Sequence, residues 1–152
     1  MSFDIFMQHF KDGRAAEAPR DAILELLRSS QHTEADRFGF YHVAFADGLT
    51  VEFSAKGLES SGTFSGCAFQ VRAFGDRLAE FVYQVACAGK MVIMPATRDA
   101  IAILVSAEMK QHLPDDLLAN LTPVVIGSSA ELKVLLATGF DGWRMYRDQV
   151  VR

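Results

Sequence analysis

FGFYHVAFADGLTVEFS, residues 38–54, sets a strand register and with it the class of fold. Apolar and polar residues alternate on both sides of Ala46-Asp47-Gly48, which marks a β-hairpin. A two-residue turn at Asp47-Gly48 would set Val43 opposite Glu52 and His42 opposite Phe53, mixing both faces. A three-residue loop with Gly48 in the left-handed conformation separates them. It sets Phe45 opposite Leu49, Val43 opposite Val51 and Tyr41 opposite Phe53 on one face. Ala44–Thr50, His42–Glu52 and Phe40–Ser54 then share the other. A slip of one residue would turn every apolar side chain to solvent, so this second register is the predicted one.

Upstream of the hairpin, residues 2–10 alternate as a strand. Phe3, Ile5 and Met7 lie on one side and Asp4, Phe6, Gln8 and Phe10 on the other, the pattern of an inner strand. Lys11-Asp12-Gly13 is a turn, residues 14–18 a small-residue loop, and Pro19 suits the first turn of a helix. Ile23, Leu26 and Leu27 supply that helix with its stripe through Ser30, and polar residues 31–37 lead into the hairpin.

Downstream, residues 55–66 are rich in Gly and Ser, which predicts a mobile loop. Residues 67–74 resume alternation, with Cys67, Phe69, Val71 and Ala73 opposite Gln70 and Arg72. Leu78, Phe81, Val82 and Val85 predict a helix over 76–88, with Gly89 as its left-handed cap. Short apolar runs at 91–94, 102–106 and 123–126 read as strands, the last opening on Pro123, and residues 107–112 as one helical turn before Pro114. A capping box from Ser128 to Glu131 opens a helix striped by Leu132, Leu135 and Leu136 and closed by Gly139, with Phe140 making the contact that follows such a cap. Asp141 then caps a last helix over 141–151. The order β-α-β-β-β-α-β-β-β-α-α predicts one α+β domain over residues 1–152, a mainly antiparallel sheet with three or four helices packed on it.

Half of the 152 residues are hydrophobic and twelve are Phe, enough for a thick core. A net charge of −4 with scattered Lys and Arg argues against a nucleic-acid surface, and no apolar run is long enough to span a bilayer. The first ten residues lack a basic flank and a cleavage site, so no signal peptide is read. Two cysteines in separate elements are too few for a disulfide framework, and reduced thiols point to the cytoplasm.

The chemistry the chain carries is sparse. If the strand at 67–74 neighbours the hairpin, His42, Thr50, Glu52, Gln70 and Arg72 share one polar face. A carboxylate beside an imidazole fixes its tautomer, and an Arg nearby suits an anion, so His42, Glu52, Gln70 and Arg72 are candidate ligand residues. The plainer reading is a solvated sheet face with cross-strand charge pairs. His9, His32 and His112 are not at ligand spacing with Cys or another His, so no metal site is read, and no cofactor motif is present. Cys67 should point into the core. Cys87, near a helix C-terminus and off its apolar stripe, lacks the setting of a nucleophile. Trp143, Arg144, Tyr146 and Arg147 are of the residue types enriched at interfaces and are candidate contacts to a protein partner or a second copy, with core packing of Trp143 and Tyr146 as the alternative.

The opening MSFDIFMQHFKDG, followed by Pro19-Arg20 and a short helix, resembles the start of small bacterial proteins of no established activity. These begin Met-Ser-Phe-Asp, then a Val/Ile-Phe pair, an acidic-Gly turn and a Pro-Arg. The resemblance is confined to this strand–turn–helix and implies a bacterial cytoplasmic domain without assigning a role to any residue. The reading that follows is a non-enzymatic interaction or regulatory domain. Its alternative is a small-molecule-binding protein or minor enzyme using the face around His42, Glu52 and Arg72 under the 55–66 loop.

Overall fold

A computed structural model describes residues 2–60, 62–97 and 99–151, the last stretch without the side chains of residues 143, 146, 147 and 149–151. The chain runs β1 (Phe3–Lys11), β2 (Arg14–Ala15), α1 (Asp21–Arg28), β3 (Gln31–His32), β4 (Phe40–Ala44), β5 (Thr50–Ser54), β6 (Gly66–Val71), α2 (Asp76–Gly89), β7 (Met91–Pro95), β8 (Ile101–Leu104), a 3₁₀ helix (Ala107–His112), α3 (Asp115–Asn120), β9 (Thr122–Val125) and α4 (Ser129–Val151). The sheet order is β3-β4-β5-β6-β1-β7-β8-β9, with β2 folded back on β1. β8 and β9 run parallel and the other described pairs antiparallel. The fold is α+β with a mostly antiparallel mixed sheet.

The hairpin adopts the predicted register: Tyr41 pairs with Phe53, His42 with Glu52 and Val43 with Val51. The Phe45 amide donates to the Leu49 carbonyl and the Gly48 amide to the Phe45 carbonyl. Gly48 has φ +88°, a conformation that costs glycine nothing. Extended sideways, that register aligns Tyr41, Phe53, Phe69, Ile5 and Pro95 in one row across five strands. All five are buried.

Helix α2 packs on this row through Phe81. Its ring meets Phe53 and Phe69 edge-on at 6.2 and 5.9 Å, while those two stack at 4.7 Å. Ile23 and Leu27 bring α1 into the same core, and Leu132, Leu136 and Phe140 bring in α4. Phe140 stands edge-on to Phe3 at 6.0 Å and stacks against Phe74.

Among the described residues the opposite face is covered at one end. Met91, Val92 and Ile93 are all buried, so β7 needs cover on both sides. A second, smaller cluster of Val92, Ala102, Leu104 and Leu113, edged by Met109, Leu117 and Leu121, supplies it beneath the 3₁₀ helix and α3. Over β4, β5, β6 and β1 this outer face is open.

Several local expectations are corrected. Gly89 is the last residue of α2 rather than its left-handed cap; Lys90 takes that conformation, with φ +51°. A Cβ on Gly89 would lie 2.8 Å from Ile23 Cδ1, so the glycine lets α1 and α2 approach. Gly139 likewise does not close a helix. Residues 129–151 form one continuous α4, so Asp141 caps nothing, and a Cβ on Gly139 would lie 2.5 Å from Thr97 Cγ2. In the capping box, Ser128 Oγ accepts from the Glu131 amide, but the Glu131 carboxylate reaches the Gly127 amide, one residue before the predicted one. Residues 31–32 form a short edge strand, 14–15 pair with β1, and 115–120 add a helix. The strand begun at Gly66 ends at Val71, leaving Ala73 exposed. Pro123 is the second residue of the edge strand β9, not its first.

The 55–66 loop is fastened to the body. Leu58 and Phe64 are buried, and the Arg20 guanidinium donates to the carbonyls of Gly57, Ser60 and Gly62 at 2.5–2.9 Å. Phe69→Ala should cost about 3–5 kcal/mol by urea denaturation, since it empties the middle of the aromatic row. Arg20→Ala should make residues 55–66 the first site of limited proteolysis, located by mass spectrometry, where the wild-type loop resists.

Candidate functional site

On the open face the register aligns His42, Glu52, Gln70 and Asp4 in one row across β4, β5, β6 and β1. The predicted candidates therefore do share a face. Their contacts divide them into two pairs. Arg72 Nη1 donates to Glu52 Oε1 at 2.6 Å, and His42 Nε2 lies 3.4 Å from Asp36 Oδ2. The imidazole partner is thus Asp36, from the turn before β4.

Asp36 organises that turn. Its Oδ1 accepts the Phe38 amide at 2.8 Å and the Phe40 amide at 3.1 Å. The Phe40 bond above all, helped by the Phe38 amide and the His42 ring, outweighs desolvation and holds the carboxyl below its ordinary value. An Asp two residues before an amide it accepts is an Asx-turn, a signal present in Asp36-Arg37-Phe38-Gly39.

A second row lies beside the polar one. Phe40, Ser54, Ala68, Phe6 and Met94 align across β4, β5, β6, β1 and β7. Phe6, near its middle, is 48% exposed. Between Phe6 and Met94 and the loop residues Lys56, Ser60 and Thr63 lies a cleft of about 550 Å³. Reading β1 as an inner strand missed this exposure, because the cover given by the 3₁₀ helix and α3 reaches β7 and β8 but stops short of Phe6.

A larger cleft, about 830 Å³, lies at the far end of β1. Phe10, Val92, Val105 and Met109 line it together with His9, Lys90 and His112, brought there by β1, the end of α2 and the 3₁₀ helix. None of His42, Glu52, Gln70 and Arg72 lines either cleft.

Both thiols are free. Cys67 is buried, and burial pushes its pKa up, which makes it inert. Cys87 is exposed beside Tyr83, whose hydroxyl pKa is raised by desolvation and by its hydrogen bond to Cys87. Tyr41, deprotonated less readily for the same first reason, donates to Glu59 at 2.5 Å. Among the described residues no group of three His, Cys, Asp or Glu is placed to hold a metal ion. Of the terminal interface candidates, Arg144 is exposed and lies 3.6 Å from the Asp141 carboxylate. The side chains of Trp143, Tyr146 and Arg147 lie outside the described residues. Comparison of the chain with protein-family models, curated proteins and solved structures gives no match.

Asp36→Asn keeps an acceptor for the Phe38 and Phe40 amides but removes the charge. A carboxyl with a lowered folded pKa stabilises above its unfolded pKa and loses that contribution as pH falls through the folded value. The variant should therefore be less stable than wild type at neutral pH, with the gap closing in acid below the ordinary carboxylate range. Denaturant midpoints measured across pH read this.

Proposed function

We propose that this protein is a non-enzymatic interaction domain that binds a basic protein partner on the open sheet face. The observation that carries the reading is the row Phe40–Ser54–Ala68–Phe6–Met94, with a half-exposed phenylalanine near its middle and a polar row alongside. An aromatic anchor with a polar rim is the anatomy of a protein interface.

Charge selects the kind of partner. The described carboxylates along that face are Asp4, Asp36 and Glu52, and the cations beside them are Arg72, paired with Glu52, and Lys56 on the Phe6 cleft, which leaves a small acidic excess. Two copies of this surface would bring like charges together, whereas a basic partner complements it. The groups able to do chemistry there already satisfy one another as exposed pairs, which favours binding over turnover. The resemblance of the first strand, turn and helix to bacterial proteins supports a bacterial cytoplasmic setting. Among the described residues no helix is long and apolar enough to cross a membrane.

The test uses Phe6→Glu with Val134→Glu, on the exposed side of α4, as control. Val134→Glu should unfold within about 0.5 kcal/mol of wild type, while Phe6→Glu gives up half-buried apolar surface and should cost about 1–2 kcal/mol with the fold retained. Immobilised wild type and Val134→Glu should retain one discrete basic protein from the native lysate, and Phe6→Glu should bind it about thirtyfold more weakly. Equal retention by all three forms, or a homodimer in sedimentation that Phe6→Glu dissociates, would refute the reading.

A further inference from the structure

The cleft at the end of β1 joins an apolar wall to one oriented ring N–H, that of His112, and to the ammonium groups of Lys11 and Lys90, and nothing on the open sheet face uses it. Its apolar side is the edge of the smaller core. That core buries only four residues, and Phe10 and Met109 pack against it while remaining partly exposed to the cleft. An apolar body laid on Phe10, Val105 and Met109 would extend the core and remove those surfaces from water.

The polar side is set by backbone contacts. His9 Nδ1 lies 2.8 Å from the Lys90 carbonyl. A carbonyl only accepts, so Nδ1 carries the hydrogen and the ring is held in one orientation. His112 Nδ1 accepts the Asp12 amide at 3.1 Å, which requires that nitrogen bare and places the ring hydrogen on Nε2. The Asp12 carboxylate is 3.5 Å from the same nitrogen, an ion pair that would need a proton there; the shorter amide bond excludes it.

The charges tip the same way. Glu17, on the rim, is neutralised by Arg20 at 2.8 Å. Lys11 and Lys90 make no ion pair among the described residues, leaving two unpaired ammonium groups beside Glu108 and the Asp12 carboxylate next to His112. In a chain of net charge −4, the cleft still offers two ammonium groups that no carboxylate holds in a pair.

We propose that the cleft binds a small carboxylate carrying an apolar body. The carboxylate meets Lys90, Lys11 and the Nε2–H of His112, and the body lies on Phe10, Val105 and Met109. A volume of about 830 Å³ accommodates such a molecule.

The chain's four histidines give a direct readout, because their ring protons resolve in proton NMR. His32 and His42 sit on β3 and β4, three or more strands from β1, and serve as internal controls. Titration with hydrocinnamate should move the His9 and His112 signals saturably and leave His32 and His42 in place. Hydrocinnamide, with the same body and no charge, should bind at least about tenfold more weakly, as should acetate, which has the head alone. The double variant Lys11→Gln/Lys90→Gln changes two exposed side chains and should lose about tenfold toward hydrocinnamate with the fold intact, judged by unmoved His32 and His42 signals. The absence of a saturable shift, amide binding as tight as the acid, stronger binding of phenethylamine, or equal movement of His42 would each overturn the proposal.

Discussion

Three rings hold the two layers of this protein together. Phe53 and Phe69 stack on neighbouring strands, and Phe81 of α2 stands edge-on to both. Such contacts add about 0.5–1.5 kcal/mol each beyond the area they bury. Their larger consequence is geometric. Stacking at 4.7 Å holds β5 and β6 in one register, and that register passes to β4 through Tyr41–Phe53 and to β1 through Ile5–Phe69. With the strands fixed, Phe81 fixes where α2 lies, and α1 and α4 pack against α2.

The same register writes the outer face. Because side chains alternate, setting Tyr41, Phe53, Phe69 and Ile5 inward forces His42, Glu52, Gln70 and Asp4 outward in a row, with Phe40, Ser54, Ala68 and Phe6 beside them. Ordinary proteins leave such a face to water. Here His42 and Glu52 have local partners while Phe6 is half-exposed, so the face sets paired polar groups around an apolar centre. That combination costs less to desolvate than a row of unpaired ions.

The asymmetry of cover also explains why two kinds of concavity occur. The 3₁₀ helix and α3 shield β7 and β8, whose residues are apolar on both sides, and the shield ends abruptly. Toward the middle of the sheet it leaves Phe6 beside the 55–66 loop. Beyond the end of β1 it leaves Phe10 and Met109 as one wall of the deeper cleft. Both concavities are edges of the smaller core, which is too short to reach across the sheet.

The sequence by itself determined what depends on near neighbours. Alternation and the Asp47-Gly48 turn decided the hairpin register residue by residue, and the period of Leu78, Phe81, Val82 and Val85 decided α2. The row of His42, Glu52 and Gln70 followed from the same alternation. Only the tertiary structure decided what depends on residues distant along the chain. Gly89 and Gly139 look like helix stops from their neighbours alone, yet they are places where Ile23 and Thr97 press against a helix that needs no Cβ there. Arg20 looks like an exposed helix residue until three carbonyls of a loop some forty positions away converge on it. Asp36 displaced Glu52 as the partner of His42 because a turn, rather than a strand pairing, carried its carboxylate there. Local patterns set which face each side chain takes; which distant group meets it is settled only when burial of the aromatic core brings the strands and helices together.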